Sequence, residues 1–196
     1  MIDARRVIIN LPKFGINGIS EHKTNFMNNK YTILTRTALL LALTLVFQSL
    51  RFIIPIPVFL STFLIGSLVN ACLLVAVETV GLRPTLLIVF VAPIVAYFQQ
   101  LLPLPIFIIP VALGNALYIG VFYVGKRWNL WLRLGIAASS KAVFMYVAFS
   151  WLLTLIAIPV KIATGLMLVM SWPQLVTGVI GGILASIIKK RLRLLR

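Results

Sequence analysis

Lys141 is the residue whose type and setting most invite chemistry. It is an ammonium group within Ala138-Ser139-Ser140-Lys141-Ala142-Val143, inside a long apolar run. Asn70 and Asn115 sit in similar apolar stretches, Gln174 follows Trp172-Pro173, and Glu78 is the only carboxylate outside the N-terminal arm. In an apolar setting such groups either satisfy one another or hold a polar solute, because a polar side chain buried without a partner is costly. They make a poor catalyst. Nucleophilic or acid–base chemistry needs a nucleophile–base pair or paired carboxylates, yet Glu78 stands alone and the one histidine, His22, lies in the arm. A lone Cys72 excludes a disulfide framework and a Cys-based metal site. No metal ligand set and no cofactor motif is expected.

The elements that must position these groups are apolar helices. Mean hydropathy is +1.09, while 18 Lys+Arg stand against 3 Asp+Glu over 196 residues. In a soluble protein a net charge of +15 would point to nucleic acid; here it reads as membrane topology, with no nucleic-acid partner. A spanning helix takes about 20 apolar residues, and the spacing predicts helices at 34–54, 59–80, 84–101, 104–124, 132–158 and 166–188. Pro55 and Pro57, Gly81 with Pro84, and Pro103 with Pro105 punctuate them. Residues 125–131 read as a basic loop with interfacial tryptophans, and Pro159 to Thr164 as the approach to the last helix. Residues 1–33 form a basic cytoplasmic arm without a cleavable signal, 34–188 a six-helix membrane domain, and 189–196 a basic cytoplasmic tail. Apart from Lys141, this count leaves only Arg51 and Lys161 of the basic residues on the side opposite the termini. The positive-inside bias therefore puts both termini in the cytoplasm. The expectation is an all-α polytopic membrane protein, a six-transmembrane-helix bundle with N-in/C-in topology in a prokaryotic plasma membrane.

On that topology Asn70 and Asn115 each fall about eleven residues into helices entering from outside, near the bilayer midplane at about 1.5 Å per residue. Lys141 lies roughly nine residues in from the cytoplasm. Gln48 and Arg51 occupy the outer half of the first helix, Gln99 and Gln100 the outer end of the third, and Gln174 the outer part of the sixth. Most of these groups project to the outer half, which indicates an outward-opening pocket. Each also has a plainer reading. Asn70 and Asn115 serve equally as interhelical glue, Lys141 as the partner of Glu78, and Arg51 as a snorkelling interfacial anchor. Trp128, Trp131 and Trp172 fit an aromatic belt; Trp151 is deeper.

Three local patterns bear on packing. Gly120 through Arg127 resembles a phosphate-binding loop, but Arg127 stands where Ser or Thr is needed and no strand precedes it, so it is a chance match. Gly178 and Gly182, extended by Gly181 and Ala185, form a small face for close helix approach. Ala38-Leu39-Leu40-Leu41-Ala42 puts two alanines four apart on one face of the first helix.

Together, four stretches resemble the substrate-binding S component of energy-coupling factor (ECF) vitamin transporters. They are Arg36-Thr37-Ala38-Leu39-Leu40-Leu41-Ala42, Gly66 through Leu74, Pro110 through Leu117 with its Gly114-Asn115 pair, and Pro173 through Gly182. The resemblance spans about residues 34–188, and it rests on the order and spacing of the stretches, not on any single motif. It implies a six-helix bundle that binds a vitamin or related micronutrient in an outward-facing pocket. It further implies docking, through Ala38 and Ala42, onto a transmembrane coupling subunit driven by two ATPase subunits. The long basic arm departs from the family pattern. Family members share few pocket residues, so the pocket rests on depth: Asn70, Asn115 and Gln174 for hydrogen bonds, Lys141 for an anionic group, Arg51 at the rim. Tyr118, Trp151 and Trp172 are the rings available for stacking. The expectation is a solute-binding subunit without enzymatic activity of its own. The rival is a non-catalytic membrane scaffold or cell-envelope organiser, which accounts for the packing faces and the basic surface but not for the outward-biased amides.

Overall fold

The computed structural model describes residues 16–54, 57–156 and 158–194, with side chains described for 30–54, 57, 59–156 and 158–191. Within these residues all regular structure is helical: α1 (Ile16–Ile53), α2 (Val58–Thr79), α3 (Leu82–Phe98), α4 (Ile108–Val124), α5 (Leu130–Leu155), α6 (Val160–Met170) and α7 (Trp172–Leu194). Single 3-10 turns precede and follow α4. Five stretches are long and apolar enough to cross a membrane, the fifth being the Val160–Arg191 run that α6 and α7 divide, and Leu82–Phe98 is a shorter apolar helix. The helix expected at 34–54 extends back to Ile16, through residues assigned to the arm; residues 1–15 lie outside the described residues.

Backbone chemistry sets the breaks. Gly81 turns the chain at φ +89° between α2 and α3, a conformation that costs other residues a steric penalty. Pro84 sits in the first turn of α3, where a missing N–H is harmless. Pro93, inside α3, leaves the Val89 carbonyl without its helical donor. The sixth expected helix, at 166–188, is the main correction. The chain is helical again from Val160, breaks at Ser171 and restarts at Trp172. The cause is Pro173, which has no N–H to offer the Val169 carbonyl; the Gln174 side-chain amide donates to that carbonyl instead, at 3.2 Å.

Contacts fix the helix directions. Along α2 and α7, Gly66 meets Thr177, Asn70 meets Thr177 and Gly181, and Glu78 meets Lys189, so these two helices run the same way. Between α4 and α5 the order reverses: Phe122 meets Arg133, Tyr118 meets Lys141, Gly114 meets Met145 and Phe107 meets Phe149. Small residues make the α7 contacts possible. A Cβ on Gly181 would lie 2.6 Å from Asn70 Cβ and 2.7 Å from the Ser67 carbonyl oxygen, and one on Gly178 2.9 Å from Ala138 Cβ. The small face read from the sequence thus receives α2 and α5.

Two apolar clusters result. The larger gathers Leu73, Leu74, Val77, Ile88, Tyr118, Phe122, Leu134 and Ala138 toward the end that carries Arg133 and Lys189, here the basic end. The smaller holds Leu102, Phe107, Met145, Phe149 and Leu152 toward the opposite end.

Candidate functional site

Between the two clusters lies a polar layer. On α5, residues 134, 137, 138, 141, 145 and 149 are buried while 132, 136, 139 and 143 are exposed, the helical period of a one-sided burial stripe. That period turns Lys141 inward, and only 4% of it is exposed. Its Nζ donates to Asn70 Oδ1 at 2.7 Å and lies 5.3 Å from the centre of the Tyr118 ring. Asn70, 2% exposed, donates from Nδ2 to Thr177 Oγ1 at 3.2 Å. Thr177 donates onward to the Gln174 backbone carbonyl. The Tyr118 hydroxyl donates to the Gly178 carbonyl at 2.6 Å.

This network links α2, α4, α5 and α7 and fixes how the Asn70 amide points, since its carbonyl faces the ammonium and its NH₂ faces a hydroxyl. Lysine carries three N–H donors, of which the network engages one. Among the described residues no carboxylate faces it, because Glu78 is committed elsewhere. Glu78 pairs with Arg133 Nη1 at 3.3 Å and Lys189 Nζ at 2.8 Å. Arg133 also donates to the Phe122 carbonyl and stacks on the Phe122 ring. Of the two readings of Lys141 left open by the sequence, the pair with Glu78 is therefore excluded. Glu78 pins the basic ends of α2, α5 and α7 together, and Lys141 is a buried lysine held by an amide and an aromatic face.

The other expected site residues divide. Asn115 is buried on α4, one turn from Tyr118 and beside Gly114, which packs on Met145; among the described residues no side-chain hydrogen bond engages it. The Gln174 amide turns to α6, to the Val169 carbonyl and Met170 Sδ, and so reaches the network only through its backbone carbonyl. Trp151 stands 64% exposed on the outer surface of α5. Trp172, also exposed, packs against Phe59 and Phe63. Arg51 is in the last turn of α1, where a cation suits the helix dipole. Near it Gln48 donates to the Ala92 carbonyl and Gln99 to Ser49 Oγ. Arg51 Nε, Gln48 Oε1 and Gln99 Oε1 are buried there without partners among the described residues, a polar seam between α1 and α3 separate from the Lys141 layer.

Thr177 is the residue that the sequence reading missed. Its signal was present: it lies three residues after Gln174 and borders the Gly178–Gly182 face that packs on Asn70. The open groove along α5, lined by Trp131, Leu132, Gly135, Ile136 and Ser139, is on the helix face opposite Lys141. Ala38 and Ala42 are both exposed, while Thr37, Thr44 and Gln48 of the same helix are buried. Comparison with known protein families, characterised proteins and solved structures gives no match.

Proposed function

We propose that the chain is the membrane-embedded solute-binding subunit of an ATP-driven importer of the ECF type, with a vitamin-like micronutrient as its cargo. The observation that carries this reading is Lys141: a lysine buried in mid-helix, oriented by Asn70 and Tyr118, with no carboxylate beside it among the described residues. Charge at such depth is costly, and where it persists it marks pathways and ligand counter-ions. The free N–H groups of Lys141 make the layer donor-rich, so the cargo presents a carboxylate or another anionic group there. Asn115 is the adjacent unengaged amide, able to donate to and accept from the remainder of the molecule, and the Tyr118 ring supplies a flat wall.

In this reading α6 does not span. The six passes are α1, α2, α3, α4, α5 and α7, the basic end is cytoplasmic, and both termini lie inside. The parallel contact of α2 with α7 and the antiparallel contact of α4 with α5 agree with that path. The exposed Ala38–Ala42 face of α1 is the surface on which a transmembrane coupling subunit docks, and the two ATPases attach through that subunit. The test is native mass spectrometry after co-expression with the host's coupling and ATPase subunits. The reading expects one copy of this chain, one coupling subunit and two ATPases, with Ala38→Leu and Ala42→Leu weakening the complex. A chain that ignores those subunits while retaining other membrane partners is a scaffold instead.

A further inference from the structure

The Lys141 layer is sealed in this structure: Lys141, Asn70, Asn115 and Tyr118 are all buried. A solute-binding layer needs a door, and the seals on its two sides differ in kind. On the basic side the large cluster is cross-braced by Glu78, which ties three helices together. On the opposite side the first turns beyond Lys141 along α5 carry Met145, Phe149 and Leu152, with Phe107 stacked on Phe149 at 5.1 Å and 8° between planes. Over this plug lies α6, whose Leu166, Met167 and Met170 pack against it.

Little holds α6 in place. None of its residues is fully buried, and it is flanked by Pro159 and by the Ser171–Pro173 break. Its polar ties to neighbouring helices are the Gln174 amide on the Val169 carbonyl and Met170 Sδ, and a 3.8 Å contact from Ser150 Oγ to Met167 Sδ. Helix segments with few buried contacts and few bridging bonds open at low cost, and motion at a proline break leaves the rest of α7 undisturbed because no backbone bond from Pro173 crosses it.

We infer that α6 is the gate of the Lys141 layer: it swings about the Ser171–Pro173 break, Gln174 is its latch, and its departure frees the Phe107–Phe149–Met145 plug to part. This assigns Gln174 to access and not to the ligand. The inference rests on the solute-binding reading for its purpose, but its test does not require a known solute.

The experiment places a single thiol in the layer, Asn115→Cys, in a Cys72→Ala background. It follows labelling of membrane vesicles of both orientations by a negatively charged methanethiosulfonate. Two variants loosen α6 independently: Gln174→Leu removes the latch, and Met167→Ala removes its packing on α5. Each is expected to speed labelling from the side opposite the basic end by about fivefold, the shift in an opening equilibrium that follows loss of one hydrogen bond or contact of this size. Labelling from the basic end stays slow, as an intact bundle requires, and a thiol at the exposed Thr79 position reacts equally in all variants, which controls for reagent access. Unchanged rates in both variants, or acceleration only from the basic end, overturn the gate. The reagent needs no recognition by the protein, so a chain that binds no solute still passes this test, and a failed gate leaves ligand retention at Lys141 to be judged separately.

Discussion

Gly181→Ala is the most informative packing change, because structure and intrinsic preference oppose each other there. In an exposed helix, alanine is better than glycine by roughly 1 kcal/mol. At Gly181, however, the added carbon would meet Asn70 Cβ at 2.6 Å, the Ser67 carbonyl oxygen at 2.7 Å and the Ala71 nitrogen at 2.9 Å. Two of these atoms are backbone and cannot turn aside, so α7 and α2 must separate by several tenths of an ångström. Overpacking of this kind costs about 1–3 kcal/mol, which exceeds the propensity gain. Gly165→Ala in α6, where nothing lies within 4 Å, is the matched control with the gain alone. Gly182→Ala is intermediate, since the obstacle is the movable end of Leu134. In detergent, thermal midpoints should rank Gly165→Ala above the parent and Gly181→Ala below it by several degrees, at about 2–4 °C per kcal/mol for a chain of this size. The same shift moves Asn70 off Lys141, so Gly181→Ala should also lower ligand retention. A Gly181→Ala protein as stable as Gly165→Ala would refute the close α2–α7 contact and with it the placement of Asn70.

Other substitutions probe the remaining contacts. Glu78→Gln takes the carboxylate from buried Arg133, while Lys189 stays solvated, and should cost about 3 kcal/mol, with partial recovery on adding Arg133→Met, as read by thermal melting. Tyr118→Phe removes the bond to the Gly178 carbonyl but keeps the ring facing Lys141; about 1 kcal/mol of stability should be lost while ligand retention persists. Trp151→Ala, on the exposed surface of α5, should change neither midpoint nor ligand retention.

How much of this was legible beforehand depended on the kind of signal. Apolar run length and proline placement located most helix ends to within a few residues, because those constraints act locally. The division of the last run at Ser171 was missed although Pro173 was in view: hydropathy is continuous from Val160 onward, and the break depends on one absent N–H. Depth counting put Asn70 and Asn115 near mid-helix and Lys141 about nine residues from the basic end, since rise per residue converts sequence position to height. Height carries no azimuth, however. Trp151 shares a helix with Lys141 yet faces away, and Gln174 turns to α6. The partner of Glu78 was equally hidden, because Arg133, Lys189 and Lys141 are all reachable by length, and only the packing of α2, α5 and α7 selects among them.

In the proposed function Lys141, which has no carboxylate beside it among the described residues, is kept for an anionic solute. That role is tested most directly by mass spectrometry of small molecules retained by the purified protein, parent against Lys141→Met. Methionine keeps the volume and removes the charge, and relief of burying that charge offsets the lost bond to Asn70, so the variant should stay folded. The account predicts a retained anionic molecule in the parent and at least a thirtyfold loss in the variant, the effect of deleting one partner of a desolvated charge pair. Equal retention by both proteins, or a variant that unfolds while the parent carries no anion, would contradict it.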